Sequence, residues 1–277
     1  MNNKERLMNI VKILKDNNIL NDRSPKNVKK TIEDLGPTFI KIGQILSTRV
    51  DLIPDIYAKE LSKLRSNVTP LPFEEIEKIL KKEYKDVKSV FSRVNERPIG
   101  SASIAQVHKA RLKDNTYVVL KIKRPHIEEE IKQDIELLKE AVKILHLNHF
   151  IKIMDLESVL DELYQSTMLE LDFEKEKENM LFFEQHNKNE TFVATPKVIE
   201  NLSSKNILVM EYIDGIMVSN IEKLDSEDYN KSLIAKELSK NYIKQALDDG
   251  LFHADPHPDN ITIYNSFNKH LFCFILF

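Results

Sequence analysis

The stretch DGLFHADPHPDNI, residues 249–261, decides how the rest of the chain is interpreted. It places Asp255 two residues after His253 and five residues before Asn260. A carboxylate in such a loop can orient or deprotonate a hydroxyl group, and an asparagine oxygen can hold a metal ion. The stretch therefore predicts a site that combines proton transfer with metal binding.

The order of His253, Asp255 and Asn260 matches the pattern H-x-D-x-x-x-x-N of the protein-kinase catalytic loop. Two other interpretations account for the same residues. The loop could be a proline-rich surface loop in which His253 and His257 are incidental, or a metal site formed by His253, Asp255 and His257. The upstream segments favour the kinase-like interpretation, because they supply a phosphate-covering loop and a lysine in the right order.

The segment GSASIAQV, residues 100–107, has the spacing of the phosphate-covering loop G-x-G-x-x-G-x-V, with alanine at the second and third glycine places. Small side chains allow backbone amides to approach phosphate oxygens closely. Alanine disfavours positive φ, so we expect a stiffer and differently shaped loop. Taken alone, the segment is better explained as a tight hairpin turn. The residues assigned here to nucleotide contact are Gly100, Ser101, Ala102, Ser103, Ala105 and Val107.

Lys121 lies inside the apolar run VVLKI, residues 118–122, where strand alternation predicts that its side chain is buried. A buried ammonium group needs an anionic partner. Phosphates and one acidic side chain would supply it, as they do for the lysine on the third strand of kinases. Lys123 competes for this role, but Arg124 and Pro125 end the strand beside it and predict a solvated position.

Acidic residues crowd the segment TMLELDFEKEKENM, residues 167–180. A solvated acidic helix face explains this composition equally well. If this helix pairs with Lys121, Glu176 is the partner that we choose. Glu170 and Asp172 then lie at or before the start of the helix and are left for another role. The sequence alone does not determine the pairing.

The remaining pattern predicts an α+β protein. Helical spacing extends to about residue 80, with breaks at Ser24-Pro25, at Gly36-Pro37 and across residues 69–72. Residues 87–124 read as three antiparallel strands. Further elements are predicted as a helix over residues 127–147, a helix over 159–186, a strand over 206–212 and a helix over 229–247 that Asp249-Gly250 ends.

Composition excludes several classes of protein. The 277 residues carry 41 basic and 44 acidic side chains, a net charge of −3 without a basic block, so nucleic acid is not an expected partner. Cys273 is the single cysteine, which excludes an internal disulfide and a cysteine-based zinc site and favours the cytoplasm. The sequence contains neither a signal peptide nor an apolar stretch long enough for a transmembrane helix.

Four ordered motifs resemble those of the UbiB/AarF/ADCK family of atypical kinases. They are LGPTFIKIGQILSTR at residues 35–49, PIGSASIAQVHKARL at 98–112, LELDFEKE at 169–176 and HADPHPDN at 253–260. The resemblance implies a protein-kinase-like fold with a helical extension over residues 1–85. An antiparallel-sheet N-lobe would follow over residues 86–213, and an incomplete helical C-lobe over 214–277.

The resemblance also implies roles for individual residues. Lys121 would contact the phosphates of ATP and pair with Glu176, while Asp255 would be the catalytic aspartate and Asn260 a ligand of Mg²⁺. The hinge that contacts adenine would run from Met210 through Glu211 to Tyr212, mostly through its backbone.

A further set of implied residues belongs to the helical extension. Lys41 and Gln44 would approach the place that a peptide substrate otherwise occupies, and Glu170 and Asp172 would face them. Members of the family are associated with isoprenoid quinone biosynthesis, with membrane surfaces and with ATPase activity. A lipid or quinone-biosynthesis partner is therefore expected, and any membrane contact would be peripheral, through the amphipathic N-terminal helix at the inner face of the cell membrane.

The sequence departs from the kinase pattern after Asn260. No Asp-Phe-Gly tripeptide follows, and Leu276 stands at the place of the metal-binding aspartate. Asp259 replaces a glycine that usually precedes the asparagine. These departures favour a truncated product with poor or absent catalysis, and they leave open a second class, a non-catalytic module that acts by binding a partner.

Overall fold

The computed structural model describes residues 3–64, 69–144, 155–253, 258–266 and 269–274. Its helices are α1 (Asn3–Asp16), α2 (Pro25–Leu35), α3 (Pro37–Thr48), α4 (Asp55–Leu61), α5 (Phe73–Glu83), α6 (Val87–Val90), α7 (Ile127–Ile144), α8 (Leu156–Glu170), α9 (Phe173–Asn187), α10 (Ile221–Ser226) and α11 (Lys231–Lys244). Its strands are β1 (Phe91–Val94), β2 (Gly100–Ser101), β3 (Ala105–Leu112), β4 (Tyr117–Lys123), β5 (Val193–Ala194), β6 (Ile207–Glu211), β7 (Ile216–Met217), β8 (Ile261–Ser266) and β9 (Lys269–Phe274).

Proline determines where the early helices begin. Pro25 and Pro37 each occupy the first turn of a helix, α2 and α3, where a missing N–H costs nothing. The predicted breaks at these two positions are confirmed. A helix predicted to run on to His186 is interrupted, because α8 ends at Glu170 and α9 starts at Phe173.

The chain divides into two compact units. The first contains Met1–Lys78, Glu96–Val107 and Ile122–Asp172, and the second contains Ile79–Asn95, His108–Lys121 and Phe173–Phe277. The division at residues 85 and 213 that the sequence suggests stays a prediction.

One apolar core cluster of the first unit lies along α7 and α8 and at the C-terminal end of α8. Its buried members are Ile127, Ile131, Ile135, Leu163 and Leu171. Ile131 and Ile135, four residues apart on α7, face this cluster. Apolar side chains at a spacing of three and four residues place α7 against α8.

A buried polar cluster joins four helices of the first unit, α1, α2, α3 and α7. Arg6 on α1 donates from Nε to Asp134 Oδ1 at 2.6 Å and from Nη2 to Asp134 Oδ2 at 2.7 Å. The same guanidinium donates to the carbonyl oxygen of Leu35 at 2.9 Å, and the Thr38 hydroxyl donates to Asp134 at 2.8 Å. Burial raises the pKa of Glu130, whose Oε1 lies 3.8 Å from Arg6. The cluster satisfies a carboxylate, Asp134, that is wholly buried.

The first sheet has the strand order β1-β3-β4-β6, with β2 paired to β3. Strands β1 and β2 both run antiparallel to β3. The turn between β3 and β4 is closed by a hydrogen bond from Leu112 N to Thr116 O at 2.9 Å, with Asn115 at a φ of 75°. The three strands predicted within residues 87–124 are present as β1, β3 and β4, whereas the helix α6 at residues 87–90 and the short strand β2 were not predicted. The strand predicted over 206–212 is β6.

The second sheet has the order β5-β9-β8-β7 and lies within the second unit. Strands β8 and β9 form an antiparallel hairpin, and β5 joins β9 in parallel. Gly215 precedes β7 at a position where an added Cβ would lie 2.4 Å from the carbonyl oxygen of Ile263. Only glycine allows this close approach of the two strands.

The helix before residues 249–261 ends as predicted. A π-helical turn, Gln245–Asp249, follows α11, and Gly250 adopts a left-handed φ of 72°. Lys244 also holds this turn, because its Nζ donates to both carboxylate oxygens of Asp249 at 2.9 and 2.8 Å. The chain then enters the stretch that the sequence marks as catalytic.

Replacement of Arg6 by leucine tests the buried cluster. We expect Arg6→Leu to lower the free energy of unfolding by about 3–5 kcal/mol, because it leaves the buried carboxylate of Asp134 without its cation. Urea denaturation measures the change. The control is Arg23→Leu at an exposed position, for which we expect a change within about 0.5 kcal/mol. Equal stability of the two variants would contradict this account of the cluster.

Candidate functional site

The ammonium group of Lys121 is buried and paired with Glu176. Its Nζ lies 2.8 Å from each of the two carboxylate oxygens, and the whole residue is 5% exposed. The side chain of Glu176 is 14% exposed. The pairing chosen from the sequence is therefore present, and the burial predicted for Lys121 is confirmed.

Helix α9 presents Glu176 on its buried face. Phe173 and Met180, three residues before and four residues after Glu176, are almost wholly buried and share that face of the helix. The ring centroid of Phe173 lies 5.2 Å from Lys121 Nζ. The apolar face of α9 thus places the carboxylate of Glu176 beside the buried ammonium group. The apolar surroundings lower the local dielectric constant, and this strengthens the attraction between the two charges.

Lys123 differs from the prediction. Its side chain is 9% exposed rather than solvated, and its Nζ lies 2.8 Å from Glu128 Oε1. Glu128 is 54% exposed in its side chain, so this pair reaches solvent. Both lysine side chains are therefore largely buried. They differ in their carboxylate partners, because the Glu176 side chain is mostly buried and the Glu128 side chain is exposed.

The segment predicted to cover phosphates is a tight hairpin. Strands β2 and β3 pair across it, and Ala102 N donates to Ala105 O at 2.8 Å. No residue from Gly100 to Val107 has a positive φ. Alanine is therefore compatible with the backbone of this loop, which differs from a glycine loop in needing no left-handed residue.

Arg124 holds this loop and was not identified from the sequence. Its guanidinium donates to Ala102 O at 2.9 Å and to Ser101 Oγ at 2.8 Å, and its backbone N–H donates to Ile104 O at 2.9 Å. Ile104 packs against the apolar cluster of α7 and α8. In the sequence, Arg124 marks only the end of a strand. Its position directly after β4 is the signal that could have identified it as the residue that holds this loop.

The residues assigned to the helical extension have separate partners within the first unit. Lys41 on α3 forms an ion pair with Glu170 at the end of α8. Gln44, one turn further along α3, donates to the carbonyl oxygen of Leu64 at 3.1 Å. Asp172 is exposed between α8 and α9. Glu170, one of the two carboxylates expected to face the extension, is thus paired with Lys41.

The predicted hinge offers fewer open backbone groups than expected. Glu211 N donates to Lys197 O at 2.8 Å, and Tyr212 N donates to Tyr117 O at 3.1 Å. Both N–H groups are therefore already hydrogen-bonded within the protein. The assignment of Glu211 and Tyr212 to adenine stays a prediction and would have to use their carbonyl groups or side chains.

Asp255, the predicted catalytic residue, lies outside the described residues, as do His257 and Leu276. Two neighbours are described: His253 is partly buried, and Asn260 ends a 3-10 turn, Pro258–Asn260, directly before β8. The described residues contain no cluster of three or more metal-ligating side chains. The roles of Asp255 and Asn260 stay predictions.

A chain of buried amide groups positions the start of this loop. Asn241 Nδ2 donates to Asn187 Oδ1 at 2.7 Å, and Gln245 Nε2 donates to Asn241 Oδ1 at 2.6 Å. Gln245 Oε1 then accepts from His253 N at 3.0 Å. The Tyr242 hydroxyl donates to His253 O at 2.9 Å. The backbone of His253 is thus held on both sides by α11 and the π-helical turn that follows it.

The fold and these side chains define a class of protein. An antiparallel sheet that carries a buried lysine, a following helix that supplies its carboxylate partner, and a later loop held at His253 together make a protein-kinase-like domain. The model of the ABC1 atypical kinase-like domain matches residues 63–274, so the chain belongs to that family. The assignment made from the four sequence motifs is confirmed.

Similar proteins come from bacteria and plants. An uncharacterised protein encoded in the hydrogenase 1 5′ region of Clostridium pasteurianum is 46% identical over 244 residues, which are 88% of this chain and 46% of that protein. A probable protein kinase UbiB of Cellvibrio japonicus is 36% identical over 242 residues, 86% of this chain and 44% of that protein. The chain spans about half the length of these relatives.

Solved structures with a similar fold include that of Rv3197 from Mycobacterium tuberculosis in complex with erythromycin, with 27% sequence identity and a TM-score of 0.61. The match covers 84% of this chain and 59% of the other.

Of the helices in the described ranges, none is both long enough and apolar enough to cross a bilayer.

Replacement of Gln245 by leucine tests the amide chain. The side chain of Gln245 is wholly buried, and its removal leaves Asn241 Oδ1 and His253 N–H unsatisfied, each at a cost of about 1–3 kcal/mol. We expect the His253 amide to exchange its hydrogen at least about tenfold faster, as measured by hydrogen exchange. The control is Gln185→Leu on the exposed face of α9. Unchanged exchange at His253 would contradict the positioning role.

Proposed function

We propose that the chain binds ATP through Lys121, with Glu176 holding the ammonium group in place, and that it acts as an atypical kinase or ATPase linked to isoprenoid quinone biosynthesis. The buried ion pair between these two residues is the observation that carries the proposal. The other parts of the proposal rest on the family and on the sequence motifs.

The energetics of the pair support a functional role. Removing two charges from water costs several kcal/mol per ion, and well-packed apolar residues of similar size often stabilise a protein at least as well. Lys121 and Glu176 lie between β4 and α9. The neighbouring buried residues Leu120, Ile122 and Met180 are apolar. A charge retained at such a place is best explained by a ligand that requires it.

The donors of Lys121 fit a phosphate group. An ammonium group has three N–H donors, and two of them point to the carboxylate oxygens of Glu176. The third is left for a phosphate oxygen. A bound triphosphate would add negative charge beside the pair, and Lys121 would then contact the protein carboxylate and the ligand together.

The metal half of the proposal rests on the sequence. Bound Mg²⁺ would neutralise charge on the phosphates, and Asn260 is the residue of this chain that we expect to ligate it through its side-chain oxygen. Asp255 would orient or deprotonate the attacking hydroxyl group or water. The amide chain that ends at His253 would hold the loop that carries Asp255.

The nucleotide test compares the two neighbouring lysines of β4. We expect Lys121→Met to weaken ATP binding by about tenfold or more, because the substitution removes a charge-assisted hydrogen bond to the phosphates. Lys123→Met is the matched control and should bind ATP as the unmodified chain does. Isothermal titration calorimetry with ATP and Mg²⁺ measures both. Equal affinity in the two variants would overturn the assignment of Lys121. Binding weakened to the same extent in both would also count against it, because the effect would not be specific to Lys121.

The link to quinone biosynthesis rests on relatives. The chain is 36% identical to a probable protein kinase UbiB over 242 residues and 35% identical to the chloroplastic protein ACTIVITY OF BC1 COMPLEX KINASE 8 of Arabidopsis thaliana over 247 residues. The latter match covers 32% of the plant protein. A lipid or quinone-biosynthesis partner stays an expectation that the family resemblance implies.

A second candidate function is a binding module without turnover. One sequence feature favours it: Leu276 stands where the kinase pattern has the aspartate that holds Mg²⁺ between the phosphates. In this case the chain would hold nucleotide and act on its partner through the helices of residues 1–85.

Substitution of Asp255 separates the two candidates. If the chain is an enzyme, we expect Asp255→Asn to reduce ATP turnover by about 100-fold or more, because an amide cannot accept the proton. Phosphate release from ATP measures the rate. Asp248→Asn, at an exposed position on the preceding turn, is the control. ATP binding without turnover in the unmodified chain would favour the binding module.

A further inference from the structure

A second group of basic side chains lies at the other end of the strand that carries Lys121. These side chains line an open cavity of about 280 Å³ within the second unit. The residues around it are Arg93, Asn95, Lys109, Ala110, Arg111 and Tyr117. Three of the six are cations, and none is a carboxylate.

Strand pairing brings two of these cations together. Arg93 on β1 is the direct cross-strand neighbour of Arg111 on β3. Like charges directly opposite each other in an antiparallel pair are destabilising. Lys109 is two residues from Arg111 on the same strand and therefore on the same face of the sheet. The sheet thus concentrates positive charge at a cost in stability.

The protein does not neutralise this charge within the described residues. Arg93, Lys109 and Arg111 form no side-chain hydrogen bond or ion pair there, whereas lysines elsewhere in the same sheet, Lys121 and Lys123, each have a glutamate. The Nε atom of Arg111 is buried and has no hydrogen-bond partner in the described part of the chain. A buried guanidinium donor without an acceptor is destabilising, and a bound acceptor would remove that penalty.

Two tyrosines orient the cations without using their donors. Lys109 Nζ lies 3.4 Å from the ring centroid of Tyr212 and 4.8 Å from that of Tyr117, and Arg111 Cζ lies 5.4 Å from the Tyr117 centroid. A cation at these distances is attracted by the electron-rich face of the ring. The contacts hold the side chains in place but leave N–H donors for an acceptor.

We propose that this cavity binds a small soluble anion that carries at least two negative charges on phosphate oxygens, such as a phosphate ester or a pyrophosphate. Arginine favours this chemistry, because its planar donors match phosphate oxygens in pairs. Lys109 adds a point charge, and Asn95 adds an amide at the rim. The site does not depend on the proposed ATP contact of Lys121.

Geometry separates this site from Lys121. Tyr117 and Lys121 are four residues apart on β4, which places them on the same face of the sheet about 13 Å from each other. One phosphate group cannot contact both positions. The cavity is therefore a second phosphate-binding position beyond the one proposed at Lys121.

The test uses inorganic pyrophosphate and the 277-residue chain. We expect calorimetric titration to show binding that weakens by about tenfold in Arg111→Gln and in Arg93→Gln, since each removes a charge-assisted hydrogen bond. Arg97→Gln removes the same charge from an exposed position outside the cavity and should bind normally. Arg93 is itself exposed, so its variant should fold even if Arg111→Gln does not. Circular dichroism checks folding in each case.

Lys121→Met separates this site from the proposed ATP site. Pyrophosphate binding that survives in Lys121→Met but weakens in Arg93→Gln supports the proposal. Binding abolished in Lys121→Met and kept in the arginine variants would assign the anion to Lys121 and overturn it. Absence of pyrophosphate binding to the unmodified chain would overturn it as well.

A second arm distinguishes a soluble phosphate from a lipid headgroup. Phosphatidylcholine vesicles that contain phosphatidic acid are sedimented with the unmodified chain and with Arg93→Gln. We expect equal sedimentation of the two chains, which would support a soluble ligand. Sedimentation that depends on Arg93, together with no response to pyrophosphate, would contradict the proposal and favour a membrane surface.

Discussion

The ammonium group of Lys121 imposes the central constraint on the second unit. It lies within a strand whose neighbouring residues are apolar and wholly buried, so it requires a negative charge at hydrogen-bonding distance. Glu176 meets that requirement at 2.8 Å with both oxygens. The face of α9 that carries Glu176 must therefore lie against β4, and the apolar residues Phe173 and Met180 are buried with it. Any displacement of the helix would leave a buried charge without compensation.

The need of a buried polar group for a hydrogen-bonding partner also explains the other buried polar clusters. Asp134 receives Arg6 and Thr38, and the amide chain through Asn241 and Gln245 ends on the backbone of His253. Each cluster is satisfied by residues distant in sequence, so each one specifies a single arrangement of helices. The cations at Arg93 and Arg111 differ from these clusters, because Arg93 is exposed and the Nε atom of Arg111 is buried without an acceptor in the described part of the chain. They lie together without a carboxylate among the described residues, which is why they indicate a ligand.

Local elements could be predicted because local rules determine them. Pro25 and Pro37 begin helices through their fixed φ, Gly250 ends one through a left-handed φ, and the apolar run of residues 118–122 marks β4. Where the prediction was wrong, a contact with the helix that follows the strand prevailed. Lys123 is covered although the strand ends beside it, because Glu128 on α7 reaches its ammonium group.

The sequence by itself determined the family, through four ordered motifs, and the kinase-like α+β fold that the family model and the solved relative support. It also indicated Lys121 and a short group of carboxylates as its possible partners, because a lysine in an apolar run needs an anion. Only the tertiary structure established that Glu176, the partner chosen among them, contacts Lys121, assigned Arg124 to the loop and brought Arg93 opposite Arg111. The physical reason is that hydrogen bonds and charge pairs depend on distances between residues far apart in the chain, which spacing in the sequence does not encode.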